Sequence, residues 1–395
     1  MPWKETCVME ERMQFVLAAK KEGSVMSQLC AEAGISRQTG YTLLRRYESE
    51  GVEGLKERSR APHQHGRSRE AELVDDVLAL RAHYGWGAKK LRHKLGELHA
   101  GIELPAASTI GDWLAKRGLT HRRRHRAKCP AYSQPFTAAS EPNAVWATDF
   151  KGWFRTGDGA RCDPLTLSDA MSRYLLRCQT VVRPDYAHVR PVFETAFSEY
   201  GLPWAIRSDN GPPFASTAAG GLSALSLWWI KLDIRPERIE PAKPQQNGRH
   251  ERMHLTLKKE ATKPAAKNFL QQQARFDQFI DTFNQQRPHQ ALNMRYPAEV
   301  YQPSPRPYKG LPELEYPFHD RTVTITRCGR ICFGRQKINL SQAFAGQRVG
   351  VKQVTDRVWL VSFMQYDLGY FDDKTCRIES AENPFAAKLS PMSPV

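Results

Sequence analysis

Apolar residues recur at helical spacing over 11 to 22, and a second short helical run over 26 to 33 stops at Gly34. Ser36 then stands where a cap is needed for a third helix running to about Glu50. Short helices joined at a glycine turn predict a helix-turn-helix within 1–55, whose later helix enters the DNA major groove. Its exposed leading residues are Arg37, Gln38, Thr39 and Tyr41, of which the first three are the expected DNA contacts. A plain three-helix bundle would show the same spacing.

Residues 56–69 are polar, basic and poor in large apolar side chains, the pattern of a linker. Three further helical runs, near 71–83, 87–97 and 108–117, predict a second helix-turn-helix-like module over 70–120, with Trp113 and Leu114 on one face of the last helix. A second basic linker covers 121–142. In it Arg122, Arg123 and Arg124 are placed to track phosphates without reading sequence, although a solvated linker would look much the same.

From 143 the period shortens to that of strands, over 144–154, 164–169 and 174–182. Helices and strands then alternate: helix 187–200, strand 204–208, helix 220–232, strand 234–239, and helices near 247–263 and 267–285. This order predicts an α/β core with a mixed sheet over 143–301. Five prolines mark a linker at 302–318, short alternating runs predict a small all-β barrel over 319–380, and 381–395 reads as a flexible tail. The expected fold class is therefore multidomain: all-α helix-turn-helix modules, a central α/β core, and a C-terminal barrel.

Charge narrows the partner. Lys and Arg outnumber Asp and Glu by 58 to 42, and a net charge of +16 favours a polyanion, nucleic acid first. The eight cysteines are scattered without a C-x-x-C pair, as in reduced intracellular proteins. The start carries no signal-peptide pattern, and no apolar run approaches the roughly 20 residues of a membrane helix, so a cytoplasmic protein is expected.

Three acids then stand out. Asp149 lies inside a strand pattern, where a carboxylate is costly to bury unless paired or bound to metal. Asp209 ends the strand at 204–208, and Glu251 lies near the start of the helix at 247–263. Each alone has a bland reading, as a turn residue or a first-turn helix acid. Together, two strand-end aspartates and a helix glutamate suit two hard cations about 4 Å apart, as phosphodiester chemistry requires. Lys258, two turns beyond Glu251 on the same helix face, is placed to reach a phosphate.

These residues sit in text that resembles the insertion-sequence transposases with an integrase-type catalytic core. The matching motifs are Trp146-Ala147-Thr148-Asp149-Phe150-Lys151-Gly152, Ser208-Asp209-Asn210-Gly211-Pro212-Pro213-Phe214, Pro244-Gln245-Gln246-Asn247-Gly248-Arg249-His250-Glu251-Arg252 and Asn284-Gln285-Gln286-Arg287-Pro288-His289-Gln290-Ala291-Leu292. The resemblance implies a ribonuclease-H-like core, the DDE triad Asp149, Asp209 and Glu251 as catalytic metal ligands, and two Mg²⁺ or Mn²⁺ ions per site. It further implies DNA contacts from Asn210, Gln246 and Asn247, and binding of terminal inverted repeats and target DNA. A homodimer or larger synaptic assembly, and a bacterial, nucleoid-associated location, follow from the same resemblance. One departure is the spacing: 41 residues, 210 to 250, separate Asp209 from Glu251, longer than the family pattern, and the small-residue stretch Ala215 to Ala224 reads as a loop insertion. Glu240 and Glu260 are the stand-ins should Glu251 fail to face the aspartates.

His250-Glu251-Arg252-Met253-His254 also satisfies the H-E-x-x-H pattern of zinc peptidases. That reading leaves Asp149 and Asp209 without a role, and no structural zinc is expected from His121 and His125, which lack a following C-x-x-C. The remaining rivals are a catalytically silent DNA-binding regulator derived from a transposase and a nuclease with the same metal chemistry.

Overall fold

The computed structural model describes residues 7–58, 70–120, 138–216, 218–240 and 244–381. The basic run with Arg122, Arg123 and Arg124, most of both basic linkers, and all but the first residue of the C-terminal tail lie outside the described residues. The chain divides into two compact units, Met1–Asp75 and Asp76–Val395.

In the first unit, α1 (Val8–Ala19), α2 (Met26–Glu32) and α3 (Arg37–Glu50) pack around Phe15, Val16, Cys30, Leu43 and Leu55. The Ser36 hydroxyl caps α3 by accepting from the Thr39 amide at 3.1 Å. Gly40 lets α3 close on its partners, since a Cβ there would stand 2.6 Å from Cys30 Sγ and 2.9 Å from the Phe15 ring. The first helix runs over Val8–Ala19, displaced toward the N-terminus from the expected 11–22, because Met9 already packs on the core.

Helix α4 (Glu70–Tyr84) crosses the boundary between the units, and α5 (Ala88–Leu98) and α6 (Ala107–Lys116) follow. They bury Leu91, Leu95, Ile110, Trp113 and Leu114, the apolar positions of the helical spacing. The core then builds a mixed sheet from β1 (Val145–Phe150), β2 (Phe154–Arg155), β3 (Arg161–Asp169), β4 (Leu175–Val181), β5 (Ala205–Ser208) and β6 (Arg235–Arg238). The spatial order is β2-β3-β1-β5-β6, with β4 also on β3; β1, β5 and β6 run parallel, and β3 is antiparallel to β1 and β4.

Strand alternation assigns the faces. Trp146, Leu165, Leu167, Leu176 and Ile206 join the aromatic core of α7 (Tyr186–Tyr200) and α8 (Ala224–Lys231), including Phe193, Phe197, Trp228 and Trp229. Leu175 and Cys178 instead meet Met253 and Leu257 of α9 (Gly248–Glu260) and Phe276 and Phe279 of α10 (Phe269–Asp281). Asp149 is odd-numbered in β1 and so lies on the face opposite Trp146, toward α9; a one-residue slip would turn it into the aromatic core. The predicted long strand to residue 154 is broken after Phe150, since Gly152 takes a positive φ of 86° before the short β2.

After α11 (Pro297–Val300), the proline-rich stretch is fastened along the core. Ser304 donates its amide to Tyr200 O at 2.8 Å, Arg306 accepts from the Leu202 amide at 2.7 Å, and the Arg306 guanidinium lies 4.2 Å from the Trp204 ring centroid. The C-terminal strands are β7 (Arg321–Thr324), β8 (Arg330–Phe333), β9 (Gln336–Asn339), β10 (Arg348–Gln353), β11 (Val358–Phe363), β12 (Tyr366–Asp372) and β13 (Ile378–Ser380). Where a closed barrel was expected, they form an open sheet in the order β13-β12-β11-β10-β7 and a separate β8–β9 hairpin. Closure is not required to bury the apolar face, because the hairpin and Leu222, Leu227 and Ile230 of the core cover it. The small-residue stretch between Asp209 and Glu251 thus ends in a docking contact: Leu222, bridged to Ala215, is fully buried against the β region.

Candidate active site

The β1–β5 pairing ends at Ala147 opposite Arg207, and the same register continued by two residues brings Asp149 level with Asp209. Each aspartate stands at the carboxyl end of its strand, where a parallel pair opens toward ligands. The Asp209 Oδ1 is shielded from solvent and has no hydrogen-bond partner among the described residues. The Gly211 amide donates to Asp209, and a Cβ at Gly211 would stand only 3.0 Å from Asp209 Oδ2, so the turn stays close to the carboxylate.

Glu251 is exposed in the first turn of α9, which presents His250, Met253, His254 and Leu257 inward. Burial first, then the charge of Asp209 and then that of Glu251, push the Asp149 carboxyl up to about 7. Burial also raises Asp209. The acids therefore repel one another across the mouth of β1. Among the described residues no three His, Cys, Asp or Glu side chains are grouped so that they could hold a metal ion, and Glu251 is exposed.

The two histidines of the H-E-x-x-H pattern have other work. Both Nε2 atoms lie 2.7 Å from Thr166 Oγ1, and His250 Nδ1 lies 2.8 Å from Ser168 Oγ. Thr166 donates its proton to the Asp149 carbonyl at 2.9 Å, so it can only accept from the rings, which places both ring protons on Nε2. His254 Nδ1 then turns a lone pair toward Asp149 Oδ2 at 3.8 Å. Burial and then Lys151 hold His254 neutral, with its pKa pushed down to about 3, so the ring adds no compensating charge to Asp149.

These features suit a divalent cation. The donors are hard carboxylate oxygens, one is buried without a partner among the described residues, and the charge of Lys151 offsets the repulsion at Asp149 only in part. The stand-ins are engaged elsewhere: Glu260 ion-pairs with Arg287 at 2.7 Å, and Glu240 exchanges hydrogen bonds with Gln246.

The predicted DNA contacts fare unevenly. Arg37, Gln38 and Thr39 are exposed on the first turn of α3, with the Thr39 hydroxyl 2.8 Å from Ser36 Oγ. Lys258 is exposed on α9. Gln246 and Asn247 are buried; Gln246 bonds to Glu240 and Asn210 turns its amide to Ile239 O, so these two side chains brace the chain after β6. Sequence reasoning missed Lys151, which burial and the neighbouring Lys258 hold below the usual lysine range, placing two cations beside the acids. Its position two residues after Asp149 was the available signal.

A ribonuclease-H-like mixed sheet carrying paired aspartates at parallel strand ends, with a helical region before it, defines the integrase class of cores. Integrase core domain models match residues 139–244 and 232–297, a helix-turn-helix domain model matches 11–63, and a homeodomain-like domain model matches 39–114. Segments of the chain thus match an integrase core and, before it, helix-turn-helix domains. An uncharacterized 31.7 kDa protein of insertion element IS407 from Burkholderia multivorans is 27% identical over 179 residues, 45% of this chain and 62% of that protein. An uncharacterized 39.2 kDa protein of insertion element IS476 from Xanthomonas euvesicatoria is 32% identical over 130 residues, 33% of this chain and 36% of that protein. The chain thus spans less than two thirds of the length of either relative. Among solved structures, the HTLV-2 integrase catalytic core domain in complex with magnesium overlaps 41% of this chain and 99% of its own, at 17% identity and a TM-score of 0.33.

Proposed function

We propose that the chain is a DDE transposase that binds the ends of its own mobile element, cleaves one strand to free a 3′-hydroxyl and joins that hydroxyl to target DNA. The observation that carries the reading is the alignment of Asp149 with Asp209 on neighbouring parallel strands, where burial first and then the charges of Asp209 and Glu251 raise Asp149 to about 7. Asp149, Asp209 and Glu251 would hold two Mg²⁺ or Mn²⁺ ions, which supply positive charge to the attacking and leaving oxygens of a phosphodiester.

The chain's own residues prepare that site. Asp149 and Asp209 are fixed by adjacent strands, so their spacing follows from the sheet. Glu251 comes from α9, whose angle is set by Thr166 and Ser168 gripping His250 and His254. Lys151 and Lys258 are placed to hold a backbone phosphate over the acids. Residues Arg37, Gln38 and Thr39, at the exposed start of α3, suit base and backbone contacts at an element end. Pairing two ends calls for at least a homodimer.

The test uses purified protein, Mg²⁺ and duplexes carrying the borders of the element. Cleaved and joined strands on a denaturing gel are expected from the natural chain and not from Asp149→Asn. Joining by that variant would remove the catalytic assignment, and binding without cleavage by the natural chain would favour the silent regulator.

A further inference from the structure

The Asn284-Gln285-Gln286-Arg287-Pro288-His289 motif has no part in the triad, yet it centres an unusual collection of charge. Trp86, buried between α4 and α5, is stacked by Tyr84 at 4.1 Å, and Tyr84 donates to Gln286 at 2.9 Å. Lys90 Nζ and the Arg287 guanidinium both approach the same indole, at 5.9 and 5.6 Å from its centroid. His289 packs on Phe283 at 4.9 Å with its Nε2 shielded and unpartnered.

Further cations are electrostatic neighbours of this cluster. Burial, then Lys90, Arg287 and Arg173, push His289 down to about 3. Arg173 sits in the β3–β4 turn at a φ of 66°, with Arg249 as its cationic neighbour and a shielded Nη1 that has no partner among the described residues. Arg252 neighbours Lys90, whose ammonium is held down to about 7 by burial first and then by Arg287. The facing carboxylates are already used: Glu260 pairs with Arg287, and Asp169 accepts from Asn143 N, Ser172 N and Ser172 Oγ. Arg249 spends one donor on Ala170 O at 3.0 Å, while the half-buried Lys90 and Arg173, the latter with a shielded donor unmet, keep their charge at a cost that a bound anion would relieve.

We propose that Lys90, Arg173, Arg249, Arg252 and Arg287 form a phosphate-binding track that grips the backbone of duplex DNA as it approaches the catalytic acids. The inference rests on the reading of the chain as a protein that acts on DNA. Five cations exceed what one free phosphate neutralises, and they come from α5, the β3–β4 turn, α9 and the segment after α10. Arg249 and Arg252 are exposed and flank Glu251 in sequence, so a strand following the track runs on to the candidate active site. The Arg-Pro-His motif thereby joins the helical segment at Trp86 to the core through a shared ligand.

The experiment is a salt titration of the full chain binding a labelled duplex of mixed sequence, with Lys90→Gln/Arg173→Gln as the test variant. Each lost phosphate contact removes about 0.9 from the slope of log affinity against log salt, so the double variant should lose about 2 in slope and roughly 60-fold in affinity at 0.1 M salt. Its melting temperature should equal or exceed the natural chain's, since it removes desolvated charge without a partner, and Lys90→Arg should keep the slope. An unchanged slope in the double variant overturns this track while leaving the DNA reading intact. A lower melting temperature in that variant marks the cations as structural and overturns it as well. Failure of the natural chain to bind duplex at all overturns both readings. Stabilisation by inorganic phosphate with an unchanged duplex slope would assign the site to a free anion and overturn the DNA assignment.

Discussion

Thr166 faces Asp149 across the β1–β3 pair, and its hydroxyl donates to the Asp149 carbonyl at 2.9 Å while accepting from two imidazoles of α9. One buried side chain therefore ties the strand of the first acid to the helix of the third.

Replacing Thr166 with valine keeps the shape and removes the hydroxyl. Two buried Nε2–H donors lose their acceptor, at about 1–3 kcal/mol for each group left unsatisfied. Thr166→Val should melt well below the natural chain and lose strand joining more than DNA binding, whereas Thr166→Ser should retain both. Equal melting curves for the valine variant and the natural chain would contradict the network.

Asp149 makes the metal-free protein sensitive to pH. Its folded pKa of about 7 lies above the unfolded value near 4, so protonation favours the fold. That contribution is complete below about pH 4 and is lost as pH rises through 7, on the order of 4 kcal/mol. Thermal melts in chelator should therefore fall between pH 5 and 8, and Asp149→Asn should flatten the curve. Added Mg²⁺ should restore stability at pH 8 in the natural chain only. A flat profile for the natural chain would mean that the acids do not confront one another.

Arg306 fastens the proline-rich strap. It stacks on Trp204 and donates to Pro203 O, Leu232 O and Asp233 O at 2.8, 3.0 and 3.0 Å. Arg306→Ala should cost about 2 kcal/mol by denaturant unfolding, combining lost stacking and lost charged hydrogen bonds. Arg306→Lys should recover only part of it, since an ammonium cannot reach all the acceptors at once.

Leu222 tests the role of the segment between Asp209 and Glu251. It is fully buried against Ile230 and the C-terminal sheet, so Leu222→Ala should cost about 2–5 kcal/mol. Limited proteolysis should then release the β region sooner than in the natural chain. An unaltered digestion pattern would make the segment an idle insertion.

Much of this protein was determined by its sequence alone. Period and capping placed the helices, since Ser36 and the apolar spacing act within a few residues of where they stand. The strand-end position of Asp149 and Asp209 was legible for the same reason: alternation and turn residues are local. What faces what was decided only by the tertiary structure. The H-E-x-x-H pattern could not reveal that Thr166, distant in sequence, takes up both imidazoles. Gln246 and Asn247 looked available to DNA until folding buried them, and an expected barrel stayed open because Leu222, Leu227 and Ile230 come from another part of the chain to cover its face. The cationic track from Lys90 to Arg287 was invisible for the most general reason: charges interact through space, and residues nearly two hundred positions apart carry no mark of becoming neighbours.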